Sequence, residues 1–209
     1  MGFCLFNNVA VTAQGLLDAG ERVAVVDWDV HHGNGTQAMF YENPDLLYLS
    51  LHEFPSYPGT GWVEELGSGD ATGTTVNIPF PTGSGSAAYL TAIRSLVRPI
   101  LEQFDPGWVL VSSGYDAHGR DPLAGIRLRS EDYHALGAAV AEAAGQGRLV
   151  MFLEGGYDLE ALAESSEATV RGVSAAGIEI PQSSEPPVGT AARLLEYTAE
   201  ILTPYWDVR

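Results

Sequence analysis

The chain has 209 residues, 45% of them hydrophobic and 18% charged, with 24 glycines, a balance that fits one ordinary globular domain able to bury a sizeable core. Its net charge is −17 and its basic side chains are ten arginines with no lysine, so it repels phosphate backbones and anionic bilayers, which excludes nucleic-acid and membrane-surface binding as expected functions. No apolar run reaches the roughly 18 residues of a spanning helix, the start MGFCLFNNVA lacks the marks of a secretory leader, and the single cysteine, Cys4, excludes an internal disulfide.

Cytoplasm is therefore the expected compartment. Cys4 stands among Phe3, Leu5 and Phe6, the setting of a buried structural thiol. Residues 7–19 predict a helix ending near Gly20, and the run VAVV predicts a strand over 22–28. A short helix at 36–42 and a strand at 46–51 follow, then a Gly- and Pro-rich excursion over 52–73. Next come a strand at 74–78, a helix over 86–104, the strand WVLVSS at 108–113, a helix at 131–145 and the strand LVMFL at 149–153. Helices at 159–174 and 189–202 complete the chain, joined by the connector IPQSSEPPVG. Strands that are continuous apolar runs alternating with helices predict an α/β fold, a mostly parallel sheet covered on both faces.

In such sheets ligands bind beyond the carboxyl ends of the strands. Three strand ends carry unusual residues: Asp29 and His31 after one, Asp116 and His118 after another, and Gly155, Gly156 and Tyr157 after a third. Asp29-x-His31 has the spacing that lets alternate side chains point the same way, and Asp116 adds a second carboxylate. Two carboxylates and an imidazole suit a catalytic zinc, which takes three protein ligands and keeps an open position for water. The competing reading makes the aspartates caps or turn residues and His31 a packed strand-end side chain.

Asp27 is expected to face away from Asp29 and to orient an imidazole or bind a separate monovalent cation. His32 is expected to be a satisfied structural histidine, His52 a surface loop residue, His118 a fourth ligand or pocket residue, and His134 an ordinary helix residue. Tyr157, projecting from a Gly-Gly bend, has the placement of a phenol that donates to an oxyanion, or that simply packs at a helix start. Phe54, Tyr57 and Trp62 either wall a pocket or pin the long loop. The stretch GSGSAA at 83–88 matches a dinucleotide-binding pattern, but Pro79 and Pro81 are expected to break the strand that would feed it, and Asp105 precedes the next strand.

Five blocks in register, GFCLFNNVA, VDWDVHHGNGTQ, SLHEFPSYPGTG, SSGYDAHGRDPLAG and LEGGYD, together resemble the zinc-dependent histone deacetylase and acetylpolyamine amidohydrolase family over almost everything from Gly2 to about Leu162. Trp28 and Asn34 are most similar to its bacterial and class II branch. The resemblance implies the arginase/deacetylase fold, zinc held by Asp29, His31 and Asp116, and Tyr157 polarising the carbonyl. It places Gly2, Phe3, Tyr57, Gly155 and Gly156 along a substrate tunnel and a structural potassium ion at Asp27, Ser50 and Leu51, with the backbone of Asp29 and His31. The implied substrate is a peptide or small molecule bearing an N-acetyl group, acetyl-lysine or an acetylpolyamine, and nothing in the 52–73 loop selects between them.

The family's His-His pair, which supplies the general base, lies upstream of the GFC block and has no counterpart here. The expectation is a single deacetylase domain over 1–209 truncated at its N-terminus, its turnover impaired by the missing base. A noncatalytic module binding metal or acetylated ligand is the alternative. Arginase-like chemistry on two manganese ions needs more ligands than these strand ends supply.

Overall fold

The structure, a computed structural model, describes residues 5–175, 177, 180–183 and 185–208. Gly2, Phe3 and Cys4, singled out above, lie outside the described residues. Helix α1 (Asn8–Asp18) begins at an Asn7 cap whose side chain accepts from the Ala10 amide at 3.0 Å. That side chain also donates to Thr36 Oγ1 at 2.8 Å, joining α1 to α2 (Asn34–Phe40). Asn satisfies one of the amides that every helix start leaves unpaired, and Gly20, at φ +82°, supplies the left-handed turn past the helix end.

Strands β1 (Val23–Asp27), β2 (Leu46–Glu53), β3 (Thr75–Phe80), β4 (Trp108–Ser113) and β5 (Leu149–Leu153) form one parallel sheet in the order β3-β2-β1-β4-β5. Alternate residues of one strand feed two cores. Val23 and Val25 pack with Val9, Ala10, Ala13 and Phe40 beneath α1 and α2. Ala24 and Val26 join the larger core of Leu49, Ile78, Ile93, Ile100, Val111 and Leu136 under the helices of the other face. Burying each such valine or leucine contributes about 1.5–3 kcal/mol, and burial on both faces explains why these strands read as unbroken apolar runs. The expected fold class holds.

The second face is built by α3 (Ser86–Ala92), α4 (Arg98–Phe104), α5 (Asp132–Ala144), α6 (Leu159–Ser174) and α7 (Gly189–Leu202). The helix expected over 86–104 is continuous but not uniform, because Ile93–Val97 widens into a π turn just before Pro99, which has no amide to donate and sits in the first turn of α4. The expectation that Pro79 breaks its strand is overturned. β3 runs through Pro79, opposite His52, and as an edge strand it tolerates the missing N–H. The dinucleotide pattern still lacks its acidic residue, since Asp105 caps the end of α4 ahead of β4. Among the described residues no helix is long and apolar enough to cross a membrane.

The chain lays β1, β2 and β3 outward in one direction and then returns to place β4 on the other side of β1. The order therefore reverses between β1 and β4, the position at which ligands bind in sheets of this kind. Asp29 follows β1 and Asp116 follows β4.

Candidate metal centre

Asp29, His31 and Asp116 each bring a ligand atom to one place, all within 4.8 Å of one another. Three backbone amides hold the two carboxylates. The Val30 amide donates to Asp116 Oδ1 at 2.9 Å, the His31 amide to Asp29 Oδ1 at 2.9 Å, and the Gly155 amide to Asp29 Oδ2 at 2.9 Å. His31 Nδ1 lies 3.1 Å from Asp29 Oδ1 and 3.2 Å from Asp116 Oδ2. Asp116 Oδ2 is fully buried, and although His31 is near, no donor is aligned on it as a hydrogen bond.

The electrostatics match that crowding. Contact with Asp116, and then with Asp29, pushes the His31 imidazole up to about 10 against the opposing effect of burial. Burial is the main cause that raises the Asp116 carboxyl to about 6, with His31 opposing it. A proton on His31 thus stands where a cation satisfies both carboxylates. Two glycines leave room for the cage. A Cβ at Gly155 would sit 2.2 Å from Asp116 Oδ2, and one at Gly114 would sit 2.4 Å from Asp29 Oδ2. An imidazole with two carboxylates fits zinc, whereas magnesium and calcium sites are built from oxygen.

Asp27 stays out of this cluster, but not through strand alternation, since residues two apart on an extended strand share a face. The separation arises because β1 stops at Asp27, whose carboxylate turns back to accept from the Asp29 amide at 3.2 Å and from the Tyr48 hydroxyl at 3.1 Å. Burial pushes its carboxyl well up, with Asp29 adding to the shift. Ser50 pairs with Asp27 in the sheet register, and Leu51 follows it, fully buried.

The surface position expected for His52 is wrong. β2 continues to Glu53 and buries His52 completely, and desolvation, aided by His32, pushes the imidazole down to about 3. The Gly61 carbonyl, 2.9 Å from Nε2, requires the proton there, so Nδ1 accepts from Ser50 Oγ at 2.9 Å. His32 is the satisfied structural residue expected, held between Thr60 and Gln37. His118 does not join the cluster. Its Nδ1 accepts from the Arg120 amide, and its Nε2 lies 3.3 Å from Ser130 Oγ.

Phe54 packs on Trp62 with ring centroids 4.9 Å apart, so these two pin the long loop. Tyr57 is different: half exposed, its ring lies edge-on 6.4 Å from the His31 ring. Gly155 and Gly156 lead from β5 to Tyr157, which is 41% exposed and whose amide donates to Asp121 Oδ2 at 2.8 Å. Asp121 is a residue that sequence reading passed over. Its partner is a backbone amide 36 positions away, which leaves no mark in a motif.

With this geometry in view, the kinship of the chain is unambiguous: residues 1–173 match the histone deacetylase domain, and the chain belongs to that family. It is 47% identical over 176 residues to the protein called histone deacetylase 10, chloroplastic, of Oryza sativa subsp. japonica, covering 82% of this chain and 40% of that one. It is 44% identical over 163 residues to a probable deacetylase of Archaeoglobus fulgidus, covering 76% and 45%. Of solved structures, the HDA15 HD domain superposes with a TM-score of 0.89 at 36% identity, over 99% of this chain and 57% of that one. The histone deacetylase Clr3 superposes with a TM-score of 0.90 at 36% identity, over 98% and 36%. The sheet with its helices is thus the arginase/deacetylase fold, and the chain spans less than half the length of these curated relatives.

Proposed function

We propose that the chain acts as a zinc-dependent amidohydrolase that removes acetyl groups from N-acetylated amines, acetyl-lysine in a peptide or an acetylpolyamine. The observation that carries this reading is the convergence of Asp29, His31 and Asp116 around a buried carboxylate oxygen with no aligned donor. Asp29 and Asp116 through carboxylate oxygens, and His31 through Nδ1, would hold the ion. When bound, zinc supplies a Lewis acid that polarises an amide carbonyl and lowers the pKa of water to about 7.

The protein's own groups do the rest. Tyr157 donates its phenolic proton as a hydrogen bond to the carbonyl oxygen as negative charge develops there. Gly155 and Gly156 let the chain pass close to the acyl group, and Tyr57 offers an aromatic wall beside His31. Gly2 and Phe3 belong to the same proposed tunnel. Among the described residues the histidines outside the cluster are committed elsewhere: His32, His52 and His118 have hydrogen-bond partners of their own, and His134 lies within α5. A general base contributes about a hundred to ten thousandfold in rate, so this chain is expected to turn over slowly until an imidazole base is supplied.

A potassium ion at Asp27, Ser50 and Leu51 is the second part of the proposal, supported by the buried Asp27 carboxylate and its pairing with Ser50 in the sheet register. A melting temperature higher in potassium than in choline chloride, and no such difference in Asp27→Asn, is the expected result. Cytoplasmic location belongs to the same proposal, to be checked by fractionation, since one named relative is called chloroplastic.

The deciding experiment measures zinc in the purified chain and hydrolysis of an acetyl-lysine peptide and an acetylpolyamine, with and without an upstream segment carrying a His-His pair. One zinc per chain and hydrolysis restored by that segment support the reading. A folded protein that keeps no zinc after dialysis defeats it. A zinc-loaded, extended chain inert toward both substrates establishes the noncatalytic binding module instead.

A further inference from the structure

We infer that Asp121 is the positioning residue for Tyr157, tying the backbone of the tyrosine to the loop that carries Asp116. The role given to the phenol rests on the deacetylase reading above; the tether itself rests on geometry. Tyr157 follows two glycines, and Gly156 has a φ of +134°, a conformation that glycine adopts and side-chain-bearing residues avoid. Gly155 is held through both its amide and its carbonyl, by Asp29 and the Tyr115 amide, so Gly156 is the joint between that fixed point and the tyrosine. On the other side α6 begins at once, its Asp158 cap accepting from the Ala161 amide at 2.7 Å.

Asp121 holds the far side of that joint. It is nearly buried, at 7% exposure, and it spends both carboxylate oxygens on backbone amides: Oδ1 on Leu123 at 2.8 Å and Oδ2 on Tyr157 at 2.8 Å. The first bond closes the aspartate's own turn and so fixes the carboxylate. The second carries that rigidity across to the Gly-Gly-Tyr bend. Asp116 lies five positions earlier in the same loop, which is held in turn by the Tyr115 amide donating to the Gly155 carbonyl at 2.8 Å. Asp29 and Asp121 therefore grip the bend from two sides, at Gly155 and at Tyr157.

Two acceptor oxygens are needed for this, as well as shape. A carboxylate accepts with both oxygens, whereas the amide of an asparagine offers one acceptor and a donor group that opposes the second N–H. Asp121→Asn must release either Leu123 or Tyr157 at almost unchanged volume. Neighbouring Arg120 also reaches across to α6, 2.8 Å from Glu164 and 3.6 Å from Asp158, but these pairs are exposed and screened. They provide a control for general loosening of the loop.

Two measurements test the inference. The first is amide hydrogen exchange in the zinc-free chain: Asp121→Asn and Asp121→Ala are expected to speed exchange at Tyr157 by about tenfold or more while the strand amides of β1 and β4 keep their protection. Unchanged protection at Tyr157 in both variants overturns the tether, whatever the function. The second is a double-mutant cycle on the affinity of the zinc-loaded chain for a straight-chain hydroxamic acid, a zinc chelator that presents an oxyanion to the phenol. Tyr157→Phe and Asp121→Asn are each expected to weaken binding about tenfold, the double variant no more than either alone, and Arg120→Gln less than twofold, with zinc stoichiometry unchanged throughout.

Losses that multiply in the double variant, or a loss in Arg120→Gln equal to that in Asp121→Asn, overturn a role exerted through Tyr157. Exchange results as expected, with hydroxamate affinity indifferent to Tyr157→Phe, defeat the deacetylase role of the phenol and leave the tether standing.

Discussion

Two groups of buried and part-buried polar side chains sit beside each other at the carboxyl ends of the strands, and they differ in charge. In the first, His32, His52, Gln37, Glu65 and Asn77 share donors and acceptors in sequence. Gln37 donates to Glu65 at 2.5 Å and accepts from His32 and Asn77, Glu65 accepts from the Gly61 and Trp62 amides, and His52 bridges Ser50 to the Gly61 carbonyl. Both imidazoles there are driven downward by burial and stay neutral, and only Asn77 Oδ1 is left over. The second group, Asp29, His31 and Asp116, combines four carboxylate oxygens with one imidazole and three backbone donors. Two carboxylates there face a single imidazole, and Asp116 Oδ2 has no aligned donor. One oxygen is unmatched in each group, but in the second it belongs to a buried carboxylate beside another carboxylate, a place that favours something positive.

The largest effect separates the two groups by metal. Asp116→Asn keeps an acceptor for the Val30 amide but removes a desolvated carboxylate, so zinc affinity is expected to fall by about a thousandfold, roughly 4 kcal/mol, while the zinc-free protein melts no lower than the parent. Gly155→Ala should lose zinc to a similar extent without altering a single donor atom, because its Cβ would occupy the space 2.2 Å from Asp116 Oδ2. Competition against a chromophoric chelator measures both. Retention of parental affinity in either variant would remove the contrast on which the metal assignment rests.

The sheet and the grouping of Asp29, His31 and Asp116 were legible in the sequence for the same reason: their signals are local. Apolar runs such as VAVV and WVLVSS mark strands buried on both faces; the first is one residue shorter at each end than expected and the second has the bounds expected. Asp29 and His31 are adjacent on one loop, so only Asp116 had to be brought in from afar. The satisfied network was less legible. His52 reads as a loop residue because one of its partners is a backbone carbonyl, Gly61, nine positions on in the long loop, and only the Ser50-x-His52 alternation hints that β2 continues. Asp121 was invisible because what it binds is main chain, and the π turn at Ile93–Val97 has no warning beyond Pro99.

The next effects fall on stability instead of metal. His52→Ala leaves Ser50 and the Gly61 carbonyl without partners and opens a cavity at a fully buried site, so about 3 kcal/mol is expected from denaturant unfolding, with one zinc still bound. Gln37→Met conserves volume but deprives Glu65, His32 and Asn77 of their shared partner, and about 2 kcal/mol is expected. If either variant lost zinc before it lost stability, the network would be part of the metal site and the two groups would be one.

The smallest effect marks the other limit of the comparison. Arg98 lies 2.8 Å from Glu142 and 3.7 Å from Glu102, tying α4 to α5 through side chains that remain partly exposed. Distances this short match those inside the buried network, so if contact distance alone determined stabilisation, Arg98→Gln would be as damaging as Gln37→Met. Water and salt compete for these groups in the unpaired state, and the expected loss is about 0.5 kcal/mol, vanishing when unfolding is repeated in 1 M sodium chloride. A loss equal to that of Gln37→Met, and insensitive to salt, would show that burial is not what distinguishes these interactions, and the unmatched oxygen of Asp116 would then carry much less weight as the sign of a cation site.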